Sequence, residues 1–129
     1  MNANELSATT TANLRDNVET LNAMILGGRM LEAFETFYAE DVVQQENELE
    51  PTRGKEANRK REQEFVSKVT EFRSAEVKSV TIDEESDTAM VEWFFDYTHE
   101  DWGDRTYHQI SVQRWSDGQI VHERYYYGC

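Results

Sequence analysis

Tyr107-His-Gln-Ile-Ser-Val-Gln-Arg-Trp-Ser-Asp-Gly-Gln-Ile-Val-His-Glu-Arg-Tyr-Tyr-Tyr127 decides the fold. Polar and bulky side chains alternate along both halves, which is the period of a strand with two unlike faces. Asp117-Gly118 separates the halves. A two-residue hairpin turn needs positive φ, and Asp-Gly supplies it. The stretch therefore reads as two long antiparallel strands. One face carries Tyr107, Gln109, Ser111, Glu123, Tyr125 and Tyr127. That face is polar for a packed core and suits the wall of a small-molecule cavity.

The pattern continues upstream. Residues 88–99 are rich in β-branched and aromatic side chains, and residues 74–83 form another strand-like run before the acidic turn 84–87. Residues 100–104 read as a loop. Further back the period changes. Leu14, Val18, Leu21 and Ile25 fall on one face of a helix, which Gly27-Gly28 ends. A second helix is predicted over residues 29–39, with Met30, Leu31, Phe34, Phe37 and Tyr38 inward. Residues 42–46 form a short strand, and residues 47–53, with the only proline, a loop. A third helix runs from Gly54 to about residue 69, with Ala57, Arg61, Phe65 and Val69 along one stripe. Residues 1–10 are small and polar and read as a loose tail. Helices first, then hairpin-linked strands, argue an α+β domain over residues 11–129, with three N-terminal helices on a mainly antiparallel sheet.

Charge and composition exclude several roles. The chain has 26 acidic against 13 basic residues, a net charge of −13. It lacks the basic footprint of a nucleic-acid or anionic-membrane binder. The run Lys55…Arg59-Lys60-Arg61 reads as a solvated helix face. No apolar run reaches the ~18 residues of a membrane-spanning helix. The N-terminus has no basic start followed by an apolar stretch, and the only cysteine, Cys129, cannot form an internal disulfide. These features lead to the expectation of a cytoplasmic protein. Phosphate-cradling Gly-rich loops, Gly-x-Ser-x-Gly and the dinucleotide fingerprint are absent, so no cofactor is expected. His108 and His122 match no metal-ligand spacing, and His99-Glu-Asp-Trp-Gly-Asp104 lacks the spacing of a calcium loop, so no metal is expected either.

Three segments carry a family resemblance: Phe37-Tyr-Ala-Glu-Asp-Val-Val-Gln-Gln-Glu46, Pro51-Thr-Arg-Gly-Lys-Glu-Ala57 and Val112-Gln-Arg-Trp-Ser-Asp-Gly-Gln-Ile-Val-His-Glu-Arg-Tyr-Tyr126. Over residues 12–127 the chain resembles the nuclear transport factor 2-like superfamily, with its SnoaL-like and ketosteroid-isomerase-like branches nearest. The resemblance implies a cystatin-like cone, in which a strongly bent sheet is closed by three helices, and a homodimer. It also implies a carboxylate general base at Glu46, five residues beyond Asp41. The chain departs from the isomerase pattern at two points. Leu21 stands where those enzymes keep an oxyanion-stabilising tyrosine, and Ser111 stands where they keep a protonated acid.

Alternation then assigns the faces. If Glu46 points into the cone, so do Val42 and Gln44. Val91, Trp93, Phe95 and Tyr97 are expected to face inward with Tyr107, Gln109, Ser111, Glu123 and Tyr125. Ile110, Val112 and Tyr126 fall on the opposite, convex face and suggest the dimer contact. Within an apolar cone a carboxylate would be poised to take an acidic C–H proton. Glu46 is the candidate base, against the alternative of a solvated rim carboxylate. Glu123 is a second candidate, against an ion pair with Arg105, Arg114 or Arg124. Gln44, Tyr107, Gln109, Ser111 and Tyr125 would orient a ligand, and Trp93, Phe95 and Tyr97 would line its apolar side. The expected function is binding of a small apolar or amphipathic oxygenated molecule, with cofactor-independent acid–base chemistry of isomerase, cyclase or hydrolase type. The alternative is a non-catalytic binding or dimerisation module whose cone is filled by its own aromatic rings.

Overall fold

The computed structural model describes residues 3–128, with side chains from Leu14 onward. Cys129 lies outside the described residues. The elements are α1 (Ala3–Leu26), α2 (Met30–Phe37), β1 (Tyr38–Glu46), β2 (Thr52–Arg53), α3 (Lys55–Lys68), β3 (Val69–Asp83), β4 (Thr88–His99), β5 (Gly103–Ser116) and β6 (Gln119–Tyr127). α1 begins at Ala3, so most of the segment expected to be a loose tail belongs to this helix. No glycine or proline interrupts residues 1–26, so nothing in the backbone stops the helix before Gly27.

The strands form one six-stranded sheet in the order β2-β1-β6-β5-β4-β3. Every pairing is antiparallel except β1 with β6, which is parallel. Asp117 and Gly118 take φ of 51° and 77°, the positive values that a tight β5–β6 turn requires. The β4–β5 ladder runs without irregularity from Thr88–Arg114 to His99–Gly103. Alternation is therefore preserved along both strands, and the expected inward set holds its face. β3 instead shifts register at three points along its pairing with β4. Bulges of this kind bend a strand and increase its twist, which wraps this edge of the sheet toward the helices.

The core lies between the helices and the concave face. Leu14, Val18 and Leu21 of α1 meet Phe34 and Phe37 of α2, Val42 of β1, Val91 and Trp93 of β4, and Trp115 and Ile120 of the last hairpin. Burying side chains of this size contributes about 1.5–3 kcal/mol each. The predicted stripe of α1 is thus its core stripe. Leu31 of α2, expected inward, is exposed instead.

α3 turns a different face inward from the one its sparse apolar residues suggest. Ala57 and Arg61 are exposed, whereas Lys55 and Asn58 are buried and Glu62 and Phe65 are half-buried. These four recur at the 3,4,3 spacing of one helix face. Gly54 precedes the helix with φ of 91°, a conformation open to glycine. The Asn58 amide nitrogen donates to the carbonyl oxygens of Gly54 at 2.8 Å and Thr52 at 3.0 Å, and Lys55 Nζ donates to the Glu35 carbonyl at 3.0 Å. Polar contacts to backbone thus seat the helix and leave Glu62 facing the sheet.

Candidate functional site

Three carboxyl groups, Glu123, Glu62 and Glu46, stand at different places in the cone. The deepest is Glu123 of β6, 2% exposed. Its Oε1 accepts hydrogen bonds from the Tyr38 hydroxyl, the Tyr125 hydroxyl at 2.6 Å and Gln44 Nε2 at 3.1 Å. Its Oε2 accepts from Ser111 Oγ at 2.5 Å and Gln113 Nε2 at 3.2 Å. Alternation on β1, β5 and β6 delivers these side chains to one point, because Gln44–Glu123 and Ser111–Tyr125 are cross-strand partners. The arginine pairing considered from sequence is not how Glu123 is satisfied: its partners are neutral hydroxyls and amides. Arg124 instead pairs with Glu48 at 2.9 Å. Burial, and then the charge of Glu123, push the Tyr38 and Tyr125 hydroxyls well above the ordinary tyrosine range. Both therefore stay protonated as donors.

Above this network a cavity of about 630 Å³ opens between α3, the α1–α2 turn and the concave sheet. A recess of about 70 Å³ continues it toward Glu123 and shares Glu62, Phe95, Gln109 and Tyr125 with it. Glu62 stands at this step. Its carboxyl is raised from 4.5 to about 7, first by burial and then by the charges of Glu123 and Glu46, with Arg61 and Gln44 pulling the other way. The sequence reading passed over Glu62. The signal was its 3,4,3 register with Lys55, Asn58 and Phe65, hidden because only Phe65 of that face is apolar.

Glu46 lies at the cavity wall with both oxygens engaged. Oε2 pairs with Arg61 Nη2 at 2.7 Å, and Oε1 accepts from the Tyr127 hydroxyl at 3.0 Å. Tyr127 is itself raised to about 12, chiefly by burial and then by Glu46. Ser111 spends its hydroxyl on Glu123 and borders only the small recess. Gln44 donates to both Glu123 and the Tyr125 hydroxyl, at 3.1 and 2.6 Å. Trp93 is in the core and stacks on Phe95 at 5.2 Å, closing the deep end, while Phe95 reaches the cavity. Tyr97 and Tyr107 join hydroxyls at 2.8 Å on the wall, beside Gln109.

Three rings that sequence reasoning did not connect complete the mouth. Trp102 stacks on His99 at 3.7 Å and 9°, and Phe65 stacks on His99 at 5.9 Å. The Asp101 backbone N–H donates to His99 Nδ1 at 3.1 Å, which places any proton of the neutral ring on Nε2. Among the described residues no group of three His, Cys, Asp or Glu side chains gathers as a metal site. His108 lies on the convex face against Phe94, 5.2 Å away. No described helix is long and apolar enough to cross a membrane.

Comparison with known proteins places this geometry. No curated protein matches the chain. Among solved structures, a protein from Mesorhizobium loti described provisionally as a SnoaL-like polyketide cyclase superimposes with a TM-score of 0.68 at 22% identity, over 88% of this chain and 97% of the other. A provisionally assigned isomerase from Bacillus subtilis gives 0.74 at 21% identity, over 91% and 87%. An NTF2-like protein of unknown function from Burkholderia pseudomallei gives 0.75 at 14%, over 90% and 91%. At these identities the likeness is one of fold, and it matches the three helices on a bent, unclosed sheet. The SnoaL-like domain family matches residues 18–123, a span that contains α2, α3, Glu46, Glu62 and Glu123. The chain belongs to the SnoaL-like domain family.

Proposed function

We propose that the cone binds a small, largely apolar molecule and moves a proton on it without a cofactor, with Glu62 as the acid–base group. The observation that carries this reading is the position of Glu62, at the floor of a cavity of about 630 Å³ with its carboxyl raised to about 7. A group poised near neutral pH can both take and return a proton, which an isomerisation or cyclisation requires. The family and its cyclase- and isomerase-named neighbours support the same class of chemistry. Glu46 is the alternative base; its ion pair with Arg61 and its bond from Tyr127 favour a role in charging the cavity wall.

A substrate that needs only a base tests the assignment. In 5-nitrobenzisoxazole the base takes the C3 proton, the C–H electron pair forms the nitrile, and the N–O bond breaks to leave a coloured phenolate. The expected rate rises with pH through a midpoint near 7, the value to which Glu62 is raised. Glu62→Gln should lower it by roughly 10²-fold or more, the usual contribution of a positioned general base. Glu46→Gln should change it only a few-fold. Equal rates in wild type and Glu62→Gln would remove Glu62, and a collapse in Glu46→Gln alone would transfer the role to Glu46.

The convex face supports a homodimer. Met90, Ile110 and Tyr126 are 46%, 44% and 42% exposed and lie on adjacent strands, with Ile110 directly opposite Tyr126. Apolar side chains clustered on one sheet face mark a contact surface. Sedimentation should find a dimer, and Ile110→Asp should shift it to monomer with the fold intact by circular dichroism. A wild-type monomer at high concentration would end this reading.

A further inference from the structure

The charges around the cavity do not balance. Among the described residues two cations line it, Arg61 and Lys68, and both are committed; Arg105, which has no ion pair there, lies over the Tyr107 ring at 5.3 Å without lining the cavity. Arg61 pairs with Glu46 at 2.7 Å and donates to Thr52 Oγ1 at 2.7 Å. Lys68 pairs with Asp101 at 2.7 Å and Glu64 at 3.1 Å. These pairs account for three of the four carboxyl groups that line the cavity, Glu46, Glu64 and Asp101. The fourth, Glu62, has no ion-pair partner among the described residues. Among the described residues that line the cavity an anionic ligand would find no free cation, and it would face Glu62 in a chain of net charge −13. A cation would meet the opposite situation.

The wall also offers what an organic cation prefers. Phe65 follows Glu62 by one helical turn, so ring and carboxyl share a face of α3. Phe65 packs edge-on to Tyr97 at 5.6 Å and lies 6.2 Å from Trp102, which is 57% exposed at the mouth. Ring faces attract positive charge through their quadrupole, tryptophan most strongly. The paired Tyr97 and Tyr107 hydroxyls add oxygen lone pairs on the same wall.

We propose that the cavity selects apolar molecules carrying a protonated nitrogen, with Glu62 as counter-ion and the rings of Phe65 and Trp102 flanking the charge. This inference rests on the reading of the cone as a ligand site and names the class of ligand it takes.

Three probes of matched length test it: 3-phenylpropylamine, 3-phenylpropan-1-ol and 3-phenylpropanoate. Their affinities for the full chain are measured by calorimetric titration at about pH 8, where Glu62 is mostly ionised and the amine remains protonated. The amine should bind at least about tenfold tighter than the alcohol, with the carboxylate weakest. Glu62→Gln should bring the amine-to-alcohol ratio close to one. Trp102→Ala, at an exposed position, should lower the same ratio. An alcohol that binds as well as the amine, or an amine preference that survives Glu62→Gln, overturns the charge assignment and leaves the ligand-site reading standing. Failure of all three probes to bind takes both readings down.

Discussion

Glu123→Ala is expected to cost about 4 kcal/mol of folding stability, the size of breaking a buried charged hydrogen-bond network. The reason is the number of donors that converge on one carboxyl. Tyr38, Gln44, Ser111, Gln113 and Tyr125 all point at it from three strands. Alanine leaves them facing a void. Gln44 retains a bond to the Tyr125 hydroxyl, and Gln113 Oε1 retains the Trp115 indole N–H, so part of the network survives. Each remaining orphan costs about 1–3 kcal/mol before relaxation. Glu123→Gln should be milder, about 2 kcal/mol, because one carbonyl oxygen still accepts while the new amide opposes donors on the other side. Urea denaturation of the two variants measures both values. Against a typical total of about 5–15 kcal/mol, the alanine variant should unfold at markedly lower urea, and its melting temperature should fall by roughly 15 °C. A loss below about 1 kcal/mol for alanine would show that the network does not hold the sheet together.

The same network explains what the sequence could and could not yield. The β4–β5–β6 meander was legible because its information is local. Asp117-Gly118 fixes the turn, strict alternation fixes the faces, and no bulge interrupts the β4–β5 ladder. Gln109, Ser111, Glu123 and Tyr125 therefore came out on the concave side together. Gln44 came out on that side too, by alternation along β1, but its bonds to Glu123 and Tyr125 did not, because pairing across β1 and β6 joins residues some eighty positions apart. α3 was legible as a helix but not in its rotation. Apolar periodicity chooses the buried face only when the helix packs on a filled apolar core, and this one borders an open cavity. Its inward residues are Lys55, Asn58 and Glu62, which satisfy backbone carbonyls or face the cavity. Arg61, on the helix face that the basic run marks as solvated, is exposed and reaches around to Glu46. One rotation of this helix thus puts Arg61 on Glu46 and Glu62 over the cavity.

That rotation also gives Glu62 a stability cost that can be measured. Its carboxyl is raised from 4.5 to about 7 in the folded chain, first by burial. Below pH 4.5 both folded and unfolded states hold the proton, and the group is neutral to stability. Between 4.5 and about 7 the unfolded chain releases a proton that the folded chain keeps, so stability falls as pH rises through this window. Above it both states are ionised, and the penalty is constant. The shift corresponds to a ceiling of roughly 3 kcal/mol, which half-burial of the side chain reduces to about 2 kcal/mol. Glu62→Gln keeps the shape and removes the titration. The variant should match wild type near pH 4.5 and exceed it by about 2 kcal/mol at about pH 8. Chemical denaturation of both proteins across this range, taken as a difference, cancels the other carboxylates, which titrate alike in the two chains. A flat difference would mean that Glu62 is solvated like any surface glutamate and that the cone holds no poised proton acceptor there. A rising difference, together with loss of base-catalysed elimination in the same variant, ties the stability given up at neutral pH to the chemistry of the site, the exchange expected of a group buried for function rather than for folding.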